Sequence, residues 1–330
     1  MTNITEDKKT YLIKKRFSDI DAYLESLESW EVNLVQLNSG YNACGQLFLS
    51  TSDFEFLFFD HAVKSLLHTQ QSKPGICLLI PLSHEPLNYI DQEFDQATLC
   101  CVPHGASTTF LTPDNFSGAT MYISNEKLNQ LHQQGLGLTG FSTHNGCQYY
   151  QPTAQQLTQL KSALALIAQR FQHAETIDSE NAQWLNEFST QQVMPLFTDI
   201  VASQKIIRIK YRPAAFCSAL EIAFAEIDAP PSIAELSLQL KMSTRNLQYI
   251  FKTHLGLTPK QFIKVLRLNV ARKQLWHSSF KRGRVADIAN SLGYWHMGSF
   301  AQDFKQLFQL SPTDILRINN DSQKVEEAHD

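Results

Sequence analysis

A stretch near the end of the chain occurs twice, and that duplication constrains the fold more than any other feature. Residues from Ile233 to Phe262 reappear in degenerate form about 52 positions later. Ile233, Leu236, Leu240 and Met242 correspond to Val285, Ile288, Leu292 and Tyr294. One residue is then inserted. Leu247, Phe251, Lys252, Leu255, Leu257, Thr258 and Pro259 correspond to Phe300, Phe304, Lys305, Phe308, Leu310, Ser311 and Pro312. The matched positions are apolar core positions, helix caps and one cation, which is what a duplicated structural unit preserves.

Each unit reads as a short helix, a tight turn and a second helix. Ser232 with Glu235 forms a capping-box signature ahead of Ile233. Lys241-Met242 makes the turn, Ser243 caps the next helix and Gly256 ends it. In the second unit, Val285–Ser291 is the first helix, Leu292-Gly293-Tyr294 the turn, and roughly Met297–Phe308 the second helix. Thr258-Pro259 and Ser311-Pro312 share a start signal, a hydroxyl N-cap followed by proline at the first helical position. A helix from Pro259 to about Trp276 joins the units. At 1.5 Å per residue it is roughly 27 Å long, near the 34 Å that separates successive major-groove segments on one DNA face.

Charge separates this module from the rest. Residues 229–318 hold 13 Lys and Arg against 4 Asp and Glu, whereas the remainder holds 15 against 28. A basic module on an acidic chain implies a local polyanion partner, most simply nucleic acid. A length of 330 residues implies two domains. The reading is an α+β chain. A mixed, strand-rich N-terminal domain is followed by helices, then by an all-α C-terminal domain of two helix-turn-helix units joined by a long helix. Strands are expected at Leu47–Ser50, Phe54–Phe59, Ile76–Ile80, Thr98–Val102 and Thr120–Ile123, with an early helix from Asp19 to Trp30. After Pro152, Leu157, Leu160, Leu164, Ile167 and Phe171 recur at helical spacing, as do Trp184, Leu185, Phe188, Leu196 and Ile200, with Pro195 kinking the second stripe. These stripes serve either their own core or a dimer. A third helix is expected from Lys210 to Ile227. The boundaries are 1–205 for a sensing or dimerisation domain (strand-rich 1–151, helical 152–205), 206–230 for a connecting helix and linker, and 319–330 for an acidic, disordered tail.

The second unit carries a recognisable signature: Ala286-Asp287-Ile288-Ala289, then Leu292-Gly293-Tyr294, His296-Met297-Gly298-Ser299-Phe300, and Phe304-Lys305 followed by Phe308 and Ser311-Pro312. With these residues, 216–318 resembles the DNA-binding domain of the AraC/XylS family of bacterial regulators. Lys241 departs from the glycine frequent in the family's first turn. More faintly, Phe17 to Asp21, Trp30, Gln36-Leu37, Gly40 and Gly45 resemble the opening of the ethanolamine-utilisation regulators. The resemblance implies a sequence-specific transcription factor, an activator by family habit. The partners it implies are double-stranded DNA and RNA polymerase, with a small-molecule effector and a homodimer as further options.

Helix periodicity selects the residues that face DNA. In the first unit these are Arg245, Asn246, Gln248 and Tyr249; in the second, His296, Met297, Gly298, Ser299 and Gln302, with Ala301 between them. Arg suits guanine O6 and N7, and Asn or Gln suits adenine N6 and N7. The second set is smaller and less charged, so the first unit is expected to read bases and the second to position. Ser243, Lys252, Thr258, Lys305 and Ser311 are the candidates for phosphate contact, although caps also serve their own helices and exposed lysines are usually only solvated. Leu236, Leu240, Phe251, Phe262, Ile288, Phe300 and Phe304 are expected in the core, with Trp276 and Trp295 in the core or at its rim.

The front half names no ligand. His61, His68, His84, His104 and His144 are too dispersed for a metal motif, and neither a metal nor a cofactor is expected. The six cysteines contain no Cys-x-x-Cys pair and read as reduced. Cys100-Cys101-Val102-Pro103-His104 raises an alkyl-transfer alternative, because a nearby His can lower a thiol pKa, but its spacing does not match the Pro-Cys-His-Arg pattern of such enzymes. A non-specific architectural DNA binder is the other alternative. The polar start from Met1 to Thr10 and the shortness of every apolar run predict a soluble, cytoplasmic chain that does not cross a membrane.

Overall fold

From Gly75 to Pro81 every residue is buried, and the side chains alternate between two cores: Ile76, Leu78 and Ile80 on one side, Cys77 and Leu79 on the other. A strand of this kind is buried on both faces, so the fold must supply a layer above and a layer below it. The computed structural model describes residues 10–318 apart from 18, 28–30, 84, 86, 91, 95–96, 136–145, 204–209, 212–213, 227–228 and 279–282. The expected acidic tail, His84, His144 and the basic residues Lys281 and Arg282 lie outside the described residues.

The front half runs β1 (Tyr11–Phe17), α1 (Ile20–Glu25), β2 (Glu31–Gln36), β3 (Cys44–Ser50), β4 (Phe54–His61), β5 (Ser65–Gln70), β6 (Gly75–Pro81), β7 (Asn88–Tyr89), β8 (Gln92–Glu93), β9 (Leu99–Pro103), β10 (Ser107–Thr112), β11 (Phe116–Ser124), α2 (Asn125–Gln133) and β12 (Gln148–Tyr150). Two antiparallel sheets result, ordered β1-β3-β4-β11-β6-β9-β12 and β2-β5-β10-β7. The five expected strands fall in β3, β4, β6, β9 and β11. Alternation carries through: Phe54 and Phe56 of β4 face one core, Leu57 and Phe59 the other.

Helices α3 (Ala154–Phe171), α4 (Ser179–Phe188) and α5 (Met194–Ala202) cover the outer face of the large sheet, so the apolar stripes of this section serve the chain's own core. Thr153 and Gln156 cap α3 reciprocally. Between α4 and α5, Ser189–Val193 forms a π-helical turn just ahead of Pro195, so the proline's missing N–H is absorbed by a widened turn. The early helix is shorter than expected, six residues rather than a run to Trp30. The third expected helix is corrected as well. Lys210–Tyr211 forms β13, paired with β8, and α6 spans only Ala214–Ala225. Pairing with β8 holds Lys210 and Tyr211 extended, so the helix starts only after them.

The C-terminal half is helical: α7 (Ile233–Gln239), α8 (Thr244–Leu255), α9 (Pro259–Trp276), α10 (Arg284–Ser291) and α11 (Met297–Phe308). Bounds for α8, α9 and α11 match the sequence reading. The two units have separate cores. Leu236, Leu247, Phe251 and Phe262 fill the first, and Ile288, Phe300, Phe304 and Phe308 fill the second. Leu240 is half-buried and Trp276 is in the core, but Trp295 is 79% exposed, against the expected core or rim position.

The first core does not stop at the helices. Val35 of β2, Leu66 of β5 and Leu111 of β10, on the outer face of the small sheet, join Phe216, Leu220, Leu247 and Phe251 in one cluster. His68 stacks on Phe224 of α6 at 5.1 Å. Polar contacts continue the junction. Asn269 of α9 accepts from the Gln36 amide at 2.9 Å and donates to the Gln36 carbonyl at 3.1 Å, completing the backbone pairing of edge strand β2. Arg272 of α9, 4% exposed, donates to Asp21 at 2.7 Å and to Asp19 at 2.5 Å, and its guanidinium lies 5.0 Å from the Phe308 ring centre.

Two predictions follow from local strain and burial. Lys241 has φ +50° and its counterpart Gly293 φ +81°, so both turns need the left-handed conformation that costs a lysine about 1 kcal/mol. Lys241→Gly should raise unfolding free energy by up to about that amount, and Gly293→Ala should lower it comparably, in denaturant titrations; no gain from Lys241→Gly removes the strain argument. Asp21 has its carboxyl pushed up to about 7, because burial outweighs the pull of Arg272 and the Asp19 carboxylate adds to the rise. A carboxyl raised on folding stabilises the protein below its unfolded pKa, and that contribution is lost as pH climbs toward the folded value. Thermal midpoints should therefore fall between about pH 4 and 7 more steeply in the wild type than in Asp21→Asn. Equal slopes would mean that Asp21 does not titrate in this window.

Candidate nucleic-acid interface

In the first unit, Ser232 and Glu235 form the expected capping box, and the Ser232 donors hold the Glu235 carboxyl below the usual range. After the left-handed Lys241, the Ser243 hydroxyl accepts from the Asn246 amide at 3.3 Å and starts α8. Leu247, Ile250, Phe251 and Leu255 turn inward, which leaves Arg245, Asn246, Gln248 and Tyr249 on the open face. Tyr249 is 72% exposed, unusual for an aromatic side chain.

The second unit begins with Gly283 in the left-handed region at φ +88°. Tyr294 packs edge-on against Phe300 at 5.1 Å. His296 is the N-cap of α11 in extended conformation and makes no side-chain cap bond. Its first-turn amides therefore receive no acceptor from the cap, unlike those of α8, and such amides are natural partners for phosphate. His296, Gly298, Ser299, Ala301 and Gln302 are exposed, while Met297 is half-buried against the second core. Lys264 of α9 reaches Asp303 at 2.6 Å, so the acidic residue on α11 is neutralised.

The phosphate candidates divide by present occupation. Lys252 donates to the Gly256 carbonyl at 2.9 Å and so caps its own helix. Thr258 is in a capping box with Gln261, and Ser311 exchanges bonds with Asp314, whose carboxyl is lowered by them. Lys305 is exposed. Two exposed apolar side chains lie near the interface: Trp295 beside the start of α11, expected in the core or at its rim, and Leu238 on α7, which the sequence analysis does not single out. The apolar character of Trp295 suggested burial, and the turn ahead of α11 places it outside instead.

Elsewhere the structure adds little chemistry. Cys100 and Cys101 are buried, and burial pushes the Cys101 thiol well up, away from a reactive thiolate. His61 is buried, donates or accepts at Thr112 at 2.8 Å, and has its pKa lowered to about 4 by burial. No group of three or more His, Cys, Asp or Glu suited to a metal occurs among the described residues. No helix among them is long and apolar enough to cross a membrane.

Comparison with known proteins concentrates on the same module. A family model described as a helix-turn-helix domain matches residues 236–318. The probable thc operon regulatory protein of Rhodococcus erythropolis is 34% identical over 99 residues, covering 30% of this chain and 30% of that protein. The transcriptional activator RhaS of Salmonella arizonae is 38% identical over 96 residues, covering 29% and 32%. A solved structure, the AraC-like transcriptional activator CuxR, shares 9% identity over 78% of this chain and 95% of its own, with a TM-score of 0.38. The chain thus spans about a third of the length of the curated relatives it matches. The C-terminal module, residues 236–318, is thus a helix-turn-helix domain similar to those of bacterial operon regulators.

Proposed function

We propose that the chain is a sequence-specific DNA-binding transcription regulator that reads two successive major-groove segments, one with α8 and one with α11. One observation carries this reading: two duplicated helices each bury an apolar face in their own core while the opposite face presents Arg245, Asn246, Gln248 and Tyr249, or His296, Ser299 and Gln302, to solvent. Arg, Asn and Gln at the N-terminal part of such a helix are the side chains that distinguish base edges. Capped α8 with its arginine suits base readout, and uncapped α11 suits backbone positioning. The relatives named as operon activators support activation, with RNA polymerase as the further partner.

The front domain supplies sensing in this proposal, through an effector or a second copy of the chain. The cavity between its sheets, lined by Tyr23, Leu57, Leu67 and Phe110 among others, is about 50 Å³ and holds only water-sized guests. A cleft of about 990 Å³ between the large sheet and α3, rimmed by Lys14, Arg16 and Lys161, has room for an anionic metabolite.

The test is selection from a random duplex library with the full chain at about 150 mM salt, where base-specific contacts must outweigh counterion release. Two enriched patches about 10 bp apart are expected. Arg245→Ala should weaken its own half-site by about 1–3 kcal/mol and relax the preference there, with Gln302→Ala having a smaller effect. Lys305→Ala should weaken all sequences alike and lower the salt slope by about one unit. Binding that vanishes with salt and enriches no sequence would leave the architectural reading in place. Equal losses for Arg245→Ala and Gln302→Ala would remove the asymmetry between the units.

A further inference from the structure

The two reader units have separate cores that meet only at the half-buried Val265 among the described residues: the first unit packs around the front half of α9 and the second around its back half. Their relative placement would rest on the stiffness of one helix. The front domain, however, touches both. It meets the first unit through Val35, Leu66 and Leu111. It meets the second at the last turn of α11, where the carbonyls lack helical partners. There the Leu307 carbonyl accepts from the Gln36 side chain at 3.0 Å and from the Gly40 amide at 2.9 Å, and the Gln306 carbonyl accepts from the Ser39 hydroxyl. Between these two attachments Asn269 and Arg272 fasten the middle of α9 to β2 and α1, and Arg272 also lies over Phe308 of α11. With the front domain docked, Arg245, Asn246, Gln248, Tyr249, His296, Ser299 and Gln302 all remain exposed.

We propose that Asn269, Arg272, Asp19, Asp21, Ser39 and Gly40 are positioning residues for DNA recognition: they make the front domain a splint that fixes the spacing and angle between the two readers. The exposure of both reading faces favours this over an occluding contact. The inference rests on the double-reader function proposed above. One inserted base pair moves the second half-site by about 3.4 Å and turns it by about 35°, so a rigid pair of readers tolerates one spacing and a loose pair tolerates several.

Two variants loosen the splint away from the reading faces. The triple change Asp19→Asn, Asp21→Asn and Arg272→Met removes the buried guanidinium together with both carboxyl groups, so no charge is left unpaired. The double change Ser39→Ala and Asn269→Ala removes neutral hydrogen bonds only. In the library selection the wild type should enrich a single spacing, with at least about tenfold preference over neighbours one base pair shorter or longer, and both variants should enrich the same half-sites with the preference reduced to about threefold or less. A second readout needs no DNA: electron spin distances between labels on cysteines replacing Thr253 and Ala301, with Cys147 and Cys217 changed to alanine. That distribution should be narrow in the wild-type background and broad in both variants. Folded variants that keep the single spacing and the narrow distribution would overturn the splint. A narrow distribution that broadens in the variants, from a chain that enriches no sequence, would instead overturn the double-reader function and leave the mechanical claim standing.

Discussion

A guanidinium with almost no access to water, held by two carboxylates 251 and 253 residues earlier in the chain, organises this molecule. Removing either side alone would strand a buried charge, a loss of about 3–5 kcal/mol. The pair is therefore a poor source of net stability, and what it supplies is position: Arg272 meets both carboxylates where α9 lies against α1. The guanidinium carries its charge through burial because Asp21 and Asp19 favour it more than desolvation opposes it. Its reach from α1 to Phe308 ties the first helix of the front domain to the last turn of the second reader.

Around that contact the protein is a stack of layers: helices, a seven-stranded sheet, a four-stranded sheet, then the first reader unit. Every interface between them is a hydrophobic core. The apolar alternation within β2, β4, β5, β6 and β10 is explained only by this stack, since each strand sends successive residues to different layers. The small sheet has one face in the front domain's own core and the other in the reader's. Its edge strand β2 borrows a side chain, Asn269, as a pairing partner.

Much of the reader was legible in the sequence because its physics is local. The N-caps Ser232, Ser243 and Thr258, the proline at 259 and the left-handed residue at 256 are set by neighbours within four positions, so the starts of α7, α8 and α9 and the end of α8 could be bounded from them. The strongest strands were legible for the same reason. Strands β2, β5 and β10 were not, since Gln36, His68 and Thr109 interrupt their apolar pattern and find their reasons only across the sheet or on α9. In the sequence Asp19 only opens the expected early helix, and Asp21 lies within it. Asp19 does cap α1, but the second use of both residues lies far along the chain, where no spacing rule reaches. Trp295 misled in the opposite direction, because an apolar residue beside a helix start carries no sign of which way the turn will aim it.

The outer face of the four-stranded sheet has a consequence for how such a chain can evolve. Val35, Leu37, Leu66 and Leu111 are 0%, 5%, 0% and 5% exposed because a helix-turn-helix unit lies on them. A front domain exchanged for another by recombination would bring a different surface to that unit, and the displaced one would carry a bare apolar patch of the kind that drives aggregation. A helix-turn-helix module and a front domain joined in this way must therefore change together. Their junction can drift only by paired substitutions across it, so the history of the interface should be written in compensating changes rather than in domain swaps.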